Sequence, residues 1–477
     1  VTVNLPSAER RVVHPELGEG TLIQTHMSGY VWEVDFASGK RFRLPAREFE
    51  AESVAAFRGS TPVVSQAPHP RFAMPNTDQF NARQTLETLR FGIVPVRDVE
   101  TLTIGLEAER TSLSRALDRS REQGGDVLAV IGDYGFGKSH FIQLAAQRAL
   151  RENFVVASAS LDLAEVPPGK AHEIYRALVS SLRYPDASGQ DVHGLQPLFK
   201  KALATPGLVR EFAALSPLGL ECPLVAALNA LENCPSQPGF EAVFRWLSGE
   251  KAGVELKYCL KKPPKLYTTG ETARQYAYLL SGLSVLAKLC GYSGLAVLID
   301  ESELYSQVRP AQRERADQFF HAMIFAAVGS NRDRIGEAQI TQHSRANYPV
   351  AFAPDAHLFF EFALSGSEGT DQMPVSTWLA PTQIVRLDER FIERDILNFF
   401  TMLLRYHRLA YDYETPQDRY EPVLRSAPRV LSRGLNEHKI NLRELIKTMV
   451  EACDLLYVYD DYAPNDLINE LMDALHQ

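Results

Sequence analysis

Residues 126–150 read DVLAVIGDYGFGKSHFIQLAAQRAL, and the fold turns on them. An apolar run, Val127 to Ile131, enters a glycine-rich turn whose residues Gly132, Asp133, Tyr134, Gly135, Phe136, Gly137, Lys138 and Ser139 satisfy the G-x-x-x-x-G-K-[ST] spacing of a phosphate loop. The stretch that leaves it has helical spacing, so backbone N–H groups and a helix N-terminus converge where phosphates would sit. The three glycines permit close backbone approach, Lys138 would reach the β and γ phosphates, and the Ser139 hydroxyl would hold Mg2+. With His140 as its last member, the segment 132–140 reads as the binding loop for ATP, with Mg2+ as the companion cofactor.

A phosphate loop needs a carboxylate from the end of a second buried strand. Gly294-Leu-Ala-Val-Leu-Ile-Asp300-Glu301 ends an apolar run in two acids, placing Asp300 near the metal and Glu301 where it could polarise an attacking water. Glu303 competes for the role of base; Glu301 is preferred because it directly follows the metal-side aspartate. Further strands are expected at Phe154–Ala159, Leu358–Leu364 and Gln383–Leu387, giving a parallel sheet wrapped by helices. One strand separates the loop from the Asp-Glu pair, an arrangement that matches the additional-strand ATPases, which include the AAA+ proteins. In that group a polar residue ends the next strand and senses the γ-phosphate. Ser365, after LFFEFAL, is the candidate here, against an ordinary turn serine. Arg443 in Asn441-Leu-Arg443-Glu-Leu resembles the second sensor of initiator-like members, against a solvated helix arginine. Arg332 and Arg334 lie where such proteins place the arginine finger offered to a neighbouring subunit, which predicts homo-oligomers.

The rest of the chain divides around this core. Residues 1–50 alternate short β-prone runs with turn residues and predict a small barrel; HPELGEGTLI and YVWEVDFASGKRFRLP resemble the Tudor or SH3-like modules of the transcription factor CarD and of UvrD-type helicase tails. Residues 51–78 have the composition of a linker, 79–387 the ATPase core, with a helical insertion over about 165–290, and 388–477 a C-terminal helical lid. The fold class is therefore α/β, a P-loop additional-strand (AAA+-like) sheet with a helical insertion, a helical lid and an added SH3-like barrel.

Composition narrows the function. The chain has 477 residues, 45% hydrophobic and 23% charged, which excludes disorder as the main state. No apolar run approaches the ~18 residues of a spanning helix, and the start lacks the pattern of a signal peptide. Five cysteines without a CxxC pair argue against a disulfide framework, and a reducing cytoplasm is the expected compartment. A net charge of −9 restricts any nucleic-acid contact to a local patch. Lys257 to Tyr267 interleaves four lysines with tyrosines, and Arg41, Arg43 and Arg47 form a second basic set. The bland reading of the first is a solvated loop.

Taken with the upstream LRFGIVP box (Leu89–Pro95), Gly105-Leu-Glu107, FVVASASLDL, LIDESELY, FALSGSEG and INLRELI, the chain resembles the ATP-binding proteins of bacterial phage-exclusion (BREX) islands, in particular the BrxD-like group, from Phe80 to Leu456. It departs from them in its barrel and in Phe136. The resemblance implies an ATPase working in anti-phage defence beside a helicase, nuclease or methyltransferase, with DNA and further copies of the chain as additional candidate partners. An ATP-dependent scaffold that signals through protein contacts alone is the alternative.

Overall fold

Strands close into a sheet when alternate residues can share one buried face, and the N-terminal segment does this with few residues. β1 (Arg11–His14), β2 (Gly18–His26), β3 (Val31–Phe36) and β4 (Arg41–Pro45) form an antiparallel sheet in chain order. Val12, Leu22, Trp32, Val34 and Phe36 point to one side and bury together with Phe49. Trp32 is thus core, Phe42 is exposed, and Tyr30 lies outside the described residues. Arg41 pairs with Asp35 and Arg43 with Glu33, each at 3.0 Å, so acids of the adjacent strand face the expected basic set; Arg47 is outside the described residues.

In the computed structural model the chain divides into two units, residues 1–75 and 76–477. The structure describes residues 11–26, 31–45, 49, 77–95, 97–187, 192–233, 237–251, 253–329, 335–365, 373–387, 392–414, 417–437, 440–459 and 463–469. The second unit is built on β5 (Gly125–Ile131), β6 (Val155–Ser160), β7 (Leu295–Asp300), β8 (Leu358–Leu364) and β9 (Ile384–Arg386). Their order is β6-β7-β8-β5-β9 and every pairing is parallel. The strand added between the loop strand β5 and the Asp-Glu strand β7 is β8, as the additional-strand class requires.

A parallel sheet must be covered on both faces. On one, Leu128, Val130, Ala296, Leu298, Phe359 and Ala363 pack under helix Glu107–Glu122, through Leu113, Ala116 and Leu117, and helix Lys138–Arg151, through Phe141, Ile142 and Ala145. On the other, Val127, Val297, Ile299, Phe360 and Phe362 meet helix Pro310–Val328 and the helices inserted between β6 and β7. Helix Ala273–Leu289 is buried almost all round, as expected of a helix apolar on every side. A third core joins helix Thr77–Arg90 with Leu102 and Ile104 to helices Glu393–Tyr411, Gln417–Asn436 and Leu442–Val458. Cys222, Cys290 and Cys453 are buried thiols, whereas Cys259 is disulfide-bonded. An odd count excludes a fully paired framework but not a single bridge. Among the described residues no helix is long and apolar enough to cross a membrane.

Two glycines let neighbouring backbone run against the sheet. A Cβ on Gly125 would stand 1.8 Å from the carbonyl oxygen of Ala327, and one on Gly294 would stand 2.0 Å from that of His357. Backbone atoms cannot swing aside as a side chain can. Gly125→Ala and Gly294→Ala should each destabilise the second unit by about 3 kcal/mol, while Gly336→Ala, which meets nothing within 4 Å, should be near neutral in the same denaturant titration.

Candidate functional site

The loop after β5 is shaped by two residues with positive φ, Gly135 at 89° and Gly137 at 85°, a conformation open to glycine at little cost. Gly132 N–H donates to the carbonyl of Leu364 at 3.1 Å, tying the loop to the end of β8. Helix Lys138–Arg151 begins inside the loop, and its first-turn N–H groups have no helical acceptor. Lys138 is buried and folds back on the loop, donating to the carbonyls of Gly132 (3.0 Å) and Asp133 (3.3 Å) and pairing with Glu303 Oε1 at 3.3 Å.

Past β7 the chain makes an abrupt turn. Glu301 sits at φ 58°, a strained conformation for a residue with a Cβ, and its N–H is taken by Asp300 Oδ1 at 2.9 Å. Burial first, then the like charges of Glu303 and Asp300, push the Glu301 carboxyl above its ordinary value, against the pull of Lys138 and Arg443. Buried oxygens here lack hydrogen-bond partners among the described residues: Glu303 Oε2 and Ser302 Oγ. The sequence ranked Glu301 ahead of Glu303 as base; the geometry adds that Glu303 is the one that holds Lys138.

A cleft opens between this floor and the third core. Its phosphate end is formed by Tyr134 to His140 with Glu301 and Glu303; its other end is an apolar collar of Ile93, Val94, Pro95, Leu102, Ile104 and Leu106. Leu442, Arg443 and Ile446 close the side. Asn441 and Glu444 start that last helix with a reciprocal cap, each side chain bonded to the other's N–H at 3.0 Å. The cap brings Arg443 over the Tyr134 ring, 5.4 Å from its centroid, with Nη1 3.0 Å from the Tyr134 hydroxyl. His140 meets the Thr103 hydroxyl at 2.9 Å, and desolvation lowers it to about 4, so the imidazole is neutral. Gly132, Asp133, Asp300 and Ser365 do not line the cleft wall. Asp300 ends β7, facing helix Lys138–Arg151, and Ser365 directly follows β8. Arg332 and Arg334 lie outside the described residues, as do Gly366 and Ser367.

For a metal, the residues fit magnesium better than a caged ion. No group of three His, Cys, Asp or Glu side chains converges among the described residues. Ser139, at the cleft, and Asp300, ending β7, are a hydroxyl and a carboxylate, the donor types magnesium takes when phosphates complete its shell. Sequence reading missed Thr103, the apolar collar as a wall, the Tyr134 contact and one more acid. Glu361, in the middle of β8, is fully buried with both oxygens unpartnered among the described residues. Burial, then the charge of Asp300, holds it well above the carboxylate range. Its signal was available: a glutamate interrupting LFFEFAL. The Lys257–Tyr267 segment does not line this cleft; its four lysines are exposed and Tyr267 stacks on His343 at 4.1 Å.

Comparison with known proteins bears on the same region. Residues 78–192 match the family model of the BREX system ATP-binding protein BrxC/D. The matched segment carries the collar, the phosphate loop and β6, and bears out there the resemblance drawn from the motifs. No curated protein matches the chain.

The crowding of acids has a pH signature. With Glu301 raised, the folded chain holds its proton more tightly than the unfolded chain does; that stability is complete below the free value of 4.5 and is lost as pH rises through the raised value. Glu301→Gln should therefore have a higher thermal midpoint than wild type at about pH 8, with the difference shrinking toward about pH 5.

Proposed function

We propose that the chain binds MgATP in this cleft and hydrolyses it, as an AAA+-like ATPase of a bacterial anti-phage defence system. The observation that carries the reading is the phosphate loop in its sheet context: β5, loop and helix in order, with Glu303, from the turn after β7, paired to the buried Lys138. The family match over residues 78–192 supports it, since the matched proteins are described as ATP-binding members of a BREX system.

In this reading the phosphates lie along the loop N–H groups, and Lys138 exchanges Glu303 and carbonyl oxygens for the β and γ phosphates. Ser139 and Asp300 hold Mg2+, which would neutralise phosphate charge. Glu301, already at the cleft and near Lys138, orients the attacking water. Ser365 reports on the γ-phosphate from the end of β8. Arg443 leaves Tyr134 for the same group, and the collar holds the base by apolar contact. Arg332 and Arg334 are the proposed fingers toward a second copy. A helicase, nuclease or methyltransferase of the defence system, with or without DNA, is the proposed recipient of the conformational change.

Lys138→Ala should abolish hydrolysis and sharply weaken ATP binding, whereas Glu301→Gln should bind ATP and leave it uncleaved; filter binding beside phosphate release reads both. Turnover retained by Glu301→Gln but lost in Glu303→Gln would reassign the base. Hydrolysis stimulated by DNA supports a motor on nucleic acid, and hydrolysis that responds only to a protein partner supports the scaffold alternative.

Self-association is tested separately. Light scattering with a non-hydrolysable ATP analogue should show an increase in mass that Arg332→Ala with Arg334→Ala diminishes. A chain that stays monomeric at every concentration would make these arginines surface charge.

A further inference from the structure

Glu361 occupies a place where stability alone would put an apolar residue. It lies in register with Leu298 of β7 on one side and Leu128 of β5 on the other, in the central strand of the sheet. Its neighbours on the same face, Phe359 and Ala363, are fully buried, and so is Phe141 of the covering helix. Both carboxyl oxygens are buried without a hydrogen-bond partner among the described residues. Burying such a group unpaired is unfavourable by several kcal/mol in order of magnitude. Leucine, methionine or phenylalanine would pack there without that penalty.

The layer between sheet and helix contains two other acids. Asp126, at the N-terminal end of β5, is already held by Arg119 at 2.5 Å and by Gln383 at 2.9 Å. Asp300 is two residues beyond Leu298 on the same face of β7, toward the phosphate loop. Diagonal neighbours on adjacent strands stand about 7–8 Å apart at the backbone, within reach of a side chain as long as glutamate through one water. Asp300 has one oxygen engaged by the N–H of Glu301, which leaves the other to be oriented.

We infer that Glu361 is a positioning residue: through one buried water it fixes the Asp300 carboxylate in the orientation that receives the divalent cation accompanying the nucleotide. The inference rests on the ATP reading above and adds to it a residue outside every motif of the loop and the Asp-Glu pair. Partners of this kind set ligand orientation at metal sites, and their loss lowers metal affinity about 10–100-fold.

The test uses the full chain with Glu361→Met, an apolar near-isostere, and Glu361→Gln, which keeps shape and hydrogen bonding. Two quantities are read: the thermal midpoint without ligand, and the Mg2+ concentration giving half-maximal fluorescence of bound mant-ATP. Glu361→Met should raise the midpoint, because it removes an unpaired buried carboxyl, and should raise the Mg2+ requirement about 10-fold or more. Glu361→Gln should restore the Mg2+ requirement to within about threefold of wild type.

A Met variant that is more stable with an unchanged Mg2+ requirement makes Glu361 a core residue only and overturns the inference. A Met variant less stable than wild type, or unfolded, shows that the sheet itself needs the carboxyl, and Glu361→Gln then decides: a Gln variant that folds with a Mg2+ requirement raised about 10-fold or more overturns the inference. A Gln variant as impaired as Met removes the hydrogen bond from the explanation. Failure of the wild type to bind mant-ATP at any Mg2+ concentration would instead overturn the ATP reading itself.

Discussion

A buried ammonium has to be surrounded by oxygen, and Lys138 has a side chain only 8% exposed. The loop meets that demand by curling until the carbonyls of Gly132 and Asp133 face the ammonium, and the turn after β7 meets it by bringing Glu303 across. Both ends of the site are therefore fixed by one charge. The positive φ of Gly135 and Gly137 permits the curl, and the strained Glu301 is what lets a chain leaving β7 present a carboxylate two residues later. Phosphate oxygens are the natural replacement for these partners, because they supply charge and lone pairs at the same place.

The order of the strands follows from the same requirement. β8 lies between β5 and β7, so the loop and the Asp-Glu turn are separated by one strand at the carboxyl edge. Helix Lys138–Arg151 covers β6, β7 and β8 on one face of the sheet, and helix Glu107–Glu122 covers β5. The strand order also brings that face of β8 under the covering helices. Glu361 lies mid-strand on that face, in register with Leu128 and Leu298, and Ser365 directly follows the strand.

Much of this was legible in the sequence because the signals were local. The glycine-rich loop, the apolar run ending in Asp300-Glu301 and the five strand cores could each be read within a short window, and the strands lie within a few residues of those expected. The insertion was legible by length, since no single crossover helix fills the gap between β6 and β7. What could not be read was set by contacts between distant segments. Nothing near Leu102 or Ile104 says that they face a cleft, and Tyr134 gives no sign that Arg443, roughly 300 residues away, lies over its ring. The neutralisation of Arg41 and Arg43 depends on β3 register. The disulfide of Cys259 likewise could not be inferred from an odd count.

The cleft joins two cores that are otherwise separate. Its phosphate end belongs to the sheet, whereas Leu102 and Ile104 of the collar, with Leu89 beside them, belong to the core of the C-terminal helices, with Leu442 and Ile446 packed on it. The joint between collar and helices is polar and partly buried. Arg90, one residue before Phe91-Gly92-Ile93, donates to both oxygens of Asp454, and His407 meets Asp454 Oδ1 at 3.0 Å and the Tyr413 hydroxyl at 2.7 Å. Burial alone would raise Asp454; His407 and Arg90 hold it low instead. Asp454, on the helix Leu442–Val458, is thus tied to the helix of His407 and, through Arg90, to the base of the collar. A ligand spanning the cleft would touch the sheet with one end and this linked body with the other. Its length, rather than any single contact, would then set how far the helices stand from the phosphate loop, and loss of the terminal phosphate would act on the very gap that Arg443 and Tyr134 now bridge.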